Sequence, residues 1–173
     1  MTAIEAPGGG AAGDTGAAQS VSWRKEPQWR ELLVVEDNRS DAELTRSCLK
    51  KLGVPVNMRV VETGEDALAY LRREGNYADA LRPDLILLDL SLPGISGLDV
   101  LVEVKQDFAL RCIPVVIFST SEDPAEVHLC YQNHCCAYVV KPHNYPALTV
   151  ALGKIMDFWF NVASPPPPPE TRV

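Results

Sequence analysis

The chain has 173 residues, of which 46% are hydrophobic, and a formal net charge of -7. This length and composition favour one folded domain with a packed core. The acidic balance disfavours nucleic acid as a partner, because affinity for a phosphate backbone comes mostly from Lys and Arg. No apolar run is long enough to span a bilayer, and the N-terminus lacks the pattern of a signal peptide. We therefore expect a cytoplasmic protein that does not bind membranes.

The two ends of the chain differ in composition from a folded domain. Residues 1–28 begin with a stretch rich in Gly and Ala, which predicts disorder, and continue as an arm that carries Trp23. Residues 163–173 include five consecutive prolines, which have no amide hydrogen and favour an extended tail. The folded domain is accordingly predicted to span residues 29–162.

Between these ends, short apolar runs alternate with segments of helical periodicity. The first run, LLVVED, precedes SDAELTRSCLKKLG, in which Ser40 and Glu43 form a capping-box pattern and Gly53 marks a helix end. VNMRVVET is followed in the same way by GEDALAYLRREG. The third run, PDLILLDL, stops near Asp89 and passes through a Pro-Gly turn into the helical pattern GLDVLVEVKQD.

Two further pairs of strand and helix complete the series. IPVVIFS precedes DPAEVHLCYQN, and CAYVV precedes NYPALTVALGKIMDFWF, for which Asn144 is the expected N-cap. Right-handed crossovers place the helices of such a series on both faces of a parallel sheet. The sequence therefore predicts an α/β fold with a doubly wound, five-stranded parallel sheet flanked by helices.

Polar side chains follow four of the five predicted strands: Glu36, Asp37, Asp89, Ser119, Thr120 and Lys141. Each of them taken alone is more often a solvated loop residue. Because parallel strands end at the same edge of a sheet, however, we expect these side chains to converge there. Three carboxylates at close range must take up protons or share a cation, and oxygen ligands suit Mg²⁺. The carbonyl group of Ser91 is a candidate fourth ligand.

A site with this composition is suited to phosphoryl transfer. Asp89 follows the middle strand of the array and is the best candidate nucleophile. Lys141, a metal ion and a hydroxyl group would stabilise the negative charge on the phosphoryl oxygens.

The five cysteines have no regular spacing, which indicates reduced thiols rather than a disulfide framework. One local cluster contains residue types that bind zinc: His128, Cys130, His134, Cys135 and Cys136. Its spacing does not match paired zinc knuckles. We favour the alternative that this segment is a helix end leading into a buried strand.

Over about residues 31 to 160 the chain resembles the receiver domains of bacterial two-component response regulators. The resemblance is carried by VVEDN, LILLDLSLPGISGLDVL, VVIFSTS and YVVKP. It implies a flavodoxin-like receiver fold in which a sensor histidine kinase phosphorylates Asp89. It further implies that Glu36 and Asp37 organise Mg²⁺.

The same resemblance assigns roles around the phosphate. Ser119 and Lys141 match residues that contact the phosphoryl group, and the bond from Lys141 to Pro142 is expected to be cis. Tyr138 matches an aromatic switch residue whose ring turns inward on phosphorylation. The switch is expected to alter the surface formed by the fourth helix, the fifth strand and the fifth helix.

The segments LRREGNYADALRPDLILLDLSLPG and MDFWFNV are similar to those of single-domain regulators that pair with phytochrome-type sensor kinases. A bacteriophytochrome is therefore a candidate partner, and a homodimer is expected. Phe158, Trp159 and Phe160 are consecutive and cannot all face one core, so they are candidates for the dimer interface. The segment NHCCAY departs from the pattern of close relatives before the switch tyrosine.

Two alternatives belong to other functional classes. A Mg²⁺-dependent aspartyl phosphatase usually has a second aspartate two residues after the nucleophile, where this chain has Ser91. A degenerate receiver that only binds partners commonly lacks an acid or the lysine, and neither is missing here. We favour a phosphoacceptor switch that is not an enzyme acting on external substrates.

Overall fold

The structure is a computed structural model that describes residues 29–164 and 166. The predictions for residues 1–28 and for most of the tail at 163–173 lie outside the described residues, so the domain limits stay a prediction. The elements in chain order are β1 (Arg30–Val35), α1 (Arg39–Leu52), β2 (Val56–Val61), α2 (Gly64–Arg72), a 3₁₀ turn (Gly75–Tyr77), β3 (Leu85–Leu88), α3 (Gly97–Gln106), β4 (Val115–Ser119), α4 (Pro124–Gln132), β5 (Ala137–Val140), α5 (Tyr145–Asp157) and a π-helical turn (Phe158–Val162).

The five strands form one parallel sheet in the order β2-β1-β3-β4-β5. Alternate residues of β1 face opposite sides. Leu32 packs in a core cluster with α1 and α5, whereas Leu33 packs in a second cluster with α2 and α3. Every residue of β3 and β4 is buried because helices cover both faces. The predicted fold class is therefore confirmed.

Two of the three capping signals in the sequence agree with the structure. Gly53 adopts a left-handed conformation (φ 65°) and ends α1, and the side chain of Asn144 caps α5 by accepting a hydrogen bond from the backbone N–H of Ala147. The capping box predicted at Ser40 is wrong, because Asn38 is the N-cap and accepts from the backbone N–H of Ser40. Asn38 directly follows the acidic pair, so the cap fixes where the chain turns away from the strand end.

The end of the last helix differs from the predicted continuous α-helix. The α-helix stops at Asp157, and the chain continues as a π-helical turn. Phe160 is buried in the cluster beneath α5, whereas Phe158 is 51% exposed and makes an edge-to-face contact with the half-buried Trp159. The prediction that these three aromatics cannot all face one core is confirmed.

The thiols fit the expectation of a reduced protein, since all five cysteines are free. Cys130 is buried within α4, and Cys135 is buried in the connection from α4 to β5. Among residues 29–164 and 166, no three His, Cys, Asp or Glu side chains form a group that could hold a metal ion, so a zinc cluster is not formed there. No helix in that part of the chain is long and apolar enough to cross a membrane.

Candidate functional site

Backbone hydrogen bonds at one edge of the sheet fix the positions of three charged residues. The N–H of Glu36 donates to the carbonyl oxygen of Val61 (2.9 Å), and the N–H of Asp89 donates to that of Val35 (3.0 Å). On the other side, the N–H of Lys141 donates to the carbonyl oxygen of Ser119 (2.8 Å). Each bond extends a strand pair beyond the strand's last residue. The side chains that follow β1, β3 and β5 are thereby held beside one another.

Lys141 joins two buried carboxylates. Its Nζ lies 2.5 Å from Oε2 of Glu36 and 2.5 Å from Oδ2 of Asp89. The side chains of Lys141, Glu36 and Asp89 are 7%, 5% and 7% exposed, so water screens the three charges very little. The structure thus brings together three of the residues that the sequence placed at this edge.

The opposing charges determine the protonation states in this cluster. Burial opposes the charged form of Lys141, but its hydrogen bonds to Asp89 and Glu36 outweigh burial and raise the pKa of the ammonium group. Burial raises the pKa of Glu36, and the nearby Lys141 offsets part of that rise. Lys141 is therefore a permanent cation at neutral pH, and it favours the ionised form of Glu36 against the effect of burial.

The second oxygen of each carboxylate accepts a backbone hydrogen bond. Oδ1 of Asp89 accepts from the N–H of Ser91 (3.1 Å), and Oε1 of Glu36 accepts from the N–H of Asn38 (3.2 Å). Both carboxylates are held from two sides and have little freedom to rotate. These contacts hold the carboxylate of Asp89 in one orientation at the carboxyl edge of the sheet.

Sequence reasoning missed one acidic residue of this cluster. Oδ2 of Asp41 lies 3.7 Å from Nζ of Lys141, and its side chain is 36% exposed. Asp41 is in the first turn of α1, three residues after the N-cap Asn38. A helix that follows a strand begins at the carboxyl edge of the sheet. An acidic residue in the first turn of α1 could therefore have been predicted to lie near this cluster.

The predicted group of three carboxylates around one cation is only partly formed. Glu36 and Asp89 meet at Lys141, whereas Asp37 is exposed to solvent. In the described chain, no three acidic or other ligand side chains form a group that could hold a metal. The donor chemistry nevertheless suits a hard cation, because these carboxylates and Asp41 outnumber the single ammonium group.

The loop from β3 to α3 explains the glycines that follow Asp89. The N–H of Gly97 donates to the carbonyl oxygen of Leu90 (3.0 Å), which folds the loop back onto the strand end. A Cβ atom at Gly97 would overlap the carbonyl oxygen of Asp89 and lie 2.7 Å from Cα of Leu90. Gly94 has φ 74°, a left-handed conformation that favours glycine. The loop LPGISG therefore packs closely against the backbone of Asp89 and Leu90.

The remaining predicted site residues lie along β4 and β5. Ser119 is fully buried and its Oγ accepts from the N–H of Ser121 (3.5 Å), whereas Thr120 is exposed. The hydroxyl group of Tyr138 donates to the carbonyl oxygen of Ser121 (3.0 Å). Burial raises the pKa of Tyr138, so the phenol is a hydrogen-bond donor at neutral pH. Ser121 therefore connects Ser119 with Tyr138.

The expected cis bond between Lys141 and Pro142 is wrong. No peptide bond is cis in the residues that the structure describes. The two isomers of a bond preceding proline differ by only about 0.5–1 kcal/mol, so tertiary packing decides between them and local sequence does not.

Comparison with known proteins assigns the family. A family model described as "Response regulator receiver domain" matches residues 32–153. The chain belongs to the response regulator receiver family. The strand order and the charged cluster at the carboxyl edge agree with this assignment.

The receiver is similar to proteins from cyanobacteria. It is 36% identical over 135 residues to response regulator Rcp1 of Synechocystis sp. PCC 6803, a match that covers 78% of this chain and 92% of Rcp1. The solved structure of phosphorylated cyanobacterial phytochrome response regulator RcpA is 41% identical, with a TM-score of 0.77, over 81% of this chain and 100% of that one. The Mn²⁺-bound form of Rcp1 is 35% identical, with a TM-score of 0.75, over 80% of this chain and 99% of that one.

Proposed function

We propose that the receiver is a phosphoacceptor switch in which Asp89 accepts a phosphoryl group from a sensor histidine kinase. The observation that carries the proposal is the contact of Lys141 with Asp89 inside a pocket of almost complete burial. A carboxylate held beside a permanent cation can attack phosphorus, because the cation stabilises the charge that builds on the phosphoryl oxygens.

The residues of the site divide the chemistry between them. An oxygen of Asp89 forms a bond to phosphorus while the bond from phosphorus to the kinase's histidine nitrogen breaks, and that nitrogen retains the electron pair. Lys141 and the hydroxyl group of Ser119 donate hydrogen bonds to the transferred oxygens. Glu36, Asp37, Asp89 and the Ser91 carbonyl would hold Mg²⁺, which when bound supplies further positive charge to the phosphoryl oxygens.

The hydrogen bonds at Ser121 provide a physical basis for the switch. We expect the hydroxyl group of Ser119 to turn toward the phosphoryl group, which would take its Oγ away from the N–H of Ser121. That movement displaces the segment whose carbonyl oxygen holds the hydroxyl group of Tyr138. Release of Tyr138 would allow the ring to turn inward and would alter the surface of α4, β5 and α5.

A second copy of the chain is the proposed partner at that surface. An open groove of about 670 Å³ runs along α5 and is lined mainly by apolar residues, among them Val139, Pro146, Val150 and Ile155. Val150 is 57% exposed. Of the three aromatic interface candidates, only Phe158 offers a largely exposed ring. The kinase partner is proposed to be of the phytochrome type, because the similar protein RcpA is a cyanobacterial phytochrome response regulator.

Incubation with Mg²⁺ and acetyl phosphate tests the phosphoacceptor. We expect intact-mass spectrometry to show one added phosphoryl group that is labile to hydroxylamine. Asp89→Asn should abolish the addition, and Asp79→Asn, at an exposed loop position, should retain it. Addition to both variants would contradict the assignment. Release of phosphate from p-nitrophenyl phosphate would instead indicate the phosphatase, and no modification at all would indicate a degenerate binding module.

Light scattering after size exclusion tests the dimer. Val150→Glu places a charge in the apolar groove and should yield a monomer. Leu44→Glu is the matched control, because Leu44 is a 43% exposed residue on α1. A wild-type monomer before and after treatment with beryllofluoride would exclude the proposed dimer.

A further inference from the structure

A second polar pocket lies at the opposite edge of the sheet, away from Asp89. It has a volume of about 460 Å³ and is lined by Leu71, Arg72, Arg73, Arg82, Asp107, Ala109 and Leu110. The lining residues come from the end of α2, the connection before β3 and the loop after α3. Three arginines face a single aspartate there, although the chain as a whole is strongly acidic.

The acidic groups near this pocket are already engaged. Glu103 accepts a hydrogen bond from Nη2 of Arg72 (2.8 Å). Oδ1 of Asp107 accepts from the N–H of Ala109 (2.7 Å). Neither Arg73 nor Arg82 forms an ion pair with a carboxylate in the described part of the chain. Even with Glu103 counted, the pocket keeps an excess of positive charge.

Arg82 is held at the pocket by a backbone carbonyl group. Its Nη1 donates to the carbonyl oxygen of Ala109 (2.7 Å), which fixes the guanidinium group at the pocket wall. Burial lowers the pKa of Arg82; Cys112 offsets part of that fall, and the neighbouring Arg73 adds to it. Arg73 and Arg82 line the same pocket, and neither forms an ion pair in the described part of the chain, an arrangement that an added anion would stabilise.

Arg73 occupies a backbone position that favours glycine. It is the C-cap of α2 and has φ 59°, which a side chain rarely adopts. Gly75, two residues later, has a similar φ of 55° and open space around it. The chain thus carries a long cationic side chain at a position where glycine would be less strained.

We propose that this pocket binds a phosphate group through Arg72, Arg73 and Arg82. Guanidinium groups donate paired hydrogen bonds to phosphate oxygens, and each arginine has more N–H donors than its present contacts use. A tetrahedral phosphate can accept from three directions, whereas a carboxylate offers two oxygens in one plane. A volume near 460 Å³ lies within the range of small-ligand sites.

Amide NMR titration in Mg²⁺-free buffer at constant ionic strength tests the proposal. Inorganic phosphate and pyrophosphate should give saturable shifts centred on Arg73, Arg82 and Ala109. Loss of the paired hydrogen bonds in Arg73→Gln should weaken the apparent affinity about tenfold. Arg82→Gln should act in the same direction, and the spectrum itself reports whether that half-buried substitution leaves the fold intact.

The matched control is Arg46→Gln, an exposed arginine on α1 that pairs with Glu43. It should bind phosphate as the wild type does.

Titration with a phosphoserine dipeptide distinguishes two sources of the phosphate group. Tighter binding than that of inorganic phosphate assigns the phosphate to a protein partner, and equal binding assigns it to a free small molecule. Absence of saturable shifts, shifts centred on Asp89, or equal weakening in Arg46→Gln would overturn the proposal. None of these outcomes bears on phosphorylation of Asp89.

Discussion

The sheet carries charged contacts at both ends, and the two ends differ in how completely the charges are paired. At the carboxyl end, Lys141 contacts Glu36 and Asp89 at 2.5 Å, and all three side chains are almost fully buried. At the amino end, Nη1 of Arg30 lies 3.4 Å from Oδ1 of Asp84, whose side chain is 28% exposed. Nη2 of Arg30 is buried without a hydrogen-bond partner among the described residues.

Under the two proposals above, the carboxyl end of the sheet carries the reactive group and the amino end attaches an anion. Charges excluded from water interact strongly, so the carboxyl end holds Asp89 in one orientation. Removing one of these charges should be strongly destabilising, because its partner is left buried and unpaired. At the amino end the arginines are incompletely paired with carboxylates, which suits reversible contact with an anion. Substitutions at the carboxyl end should therefore change the free energy of unfolding more than substitutions at the amino end. At the amino end, some substitutions should lower this free energy and others should raise it.

The largest effect is expected from Lys141→Met. Removal of the cation leaves two buried carboxylates without a counter-charge, which should lower the free energy of unfolding at pH 7.5 by about 3 kcal/mol. Lys50→Met, at an exposed position on α1, is the matched control and should change it by less than about 0.5 kcal/mol. Urea denaturation monitored by circular dichroism measures both.

The loss in Lys141→Met should depend on pH. Without the ammonium group, burial alone acts on Glu36 and raises its pKa in the folded state further above the unfolded value. The folded variant then binds more protons than the unfolded chain, so its stability falls as pH rises through this range. We expect a smaller deficit at pH 5 than at pH 7.5. A deficit that is constant across this range would show that packing of the lysine stem, and not charge balance, dominates.

The second largest effect concerns the glycines at the two ends. Gly97→Ala forces a methyl group against the backbone of Asp89 and should cost about 2 kcal/mol. Gly53→Ala meets nothing within 4 Å and should cost only about 1 kcal/mol for its left-handed backbone. Thermal unfolding of both variants measures the contrast. Equal losses would mean that the loop under Asp89 is able to relax.

The sequence predicted the fold and three members of the charged cluster because both depend on simple periodicity, whereas it missed Asp41 and included Asp37, which is exposed to solvent. Alternating strands and helices require parallel strand ends to meet, which placed Glu36, Asp89 and Lys141 at one edge. Finer choices between states of similar energy were not predictable. Asn38 and Ser40 are both good N-caps, and the isomer at Pro142 depends on packing.

Asp84 provides the amino-end counterpart to Lys141. Its Oδ1 contacts Arg30 and its Oδ2 accepts from the N–H of Glu31 (2.9 Å). Asp84→Asn keeps the shape but removes the charge, and should cost about 1 kcal/mol because the pair is partly hydrated. Urea denaturation at two salt concentrations measures the change. A loss as large as that of Lys141→Met would refute the contrast drawn between the two ends.

The smallest effect, and one of opposite sign, is expected from Arg73→Gly. Glycine adopts φ 59° without the steric cost that a side chain brings, so the variant should be more stable by about 0.5–1 kcal/mol. The adjacent Arg72→Gly is the matched control: Arg72 is the last residue of α2 and pairs with Glu103, so the same change should destabilise by about 1 kcal/mol. Thermal unfolding gives both signs in one experiment. If Arg73→Gly gains stability while it loses affinity for phosphate, the left-handed arginine is retained for binding; a variant that loses stability would show that the side chain of Arg73 supports the fold instead.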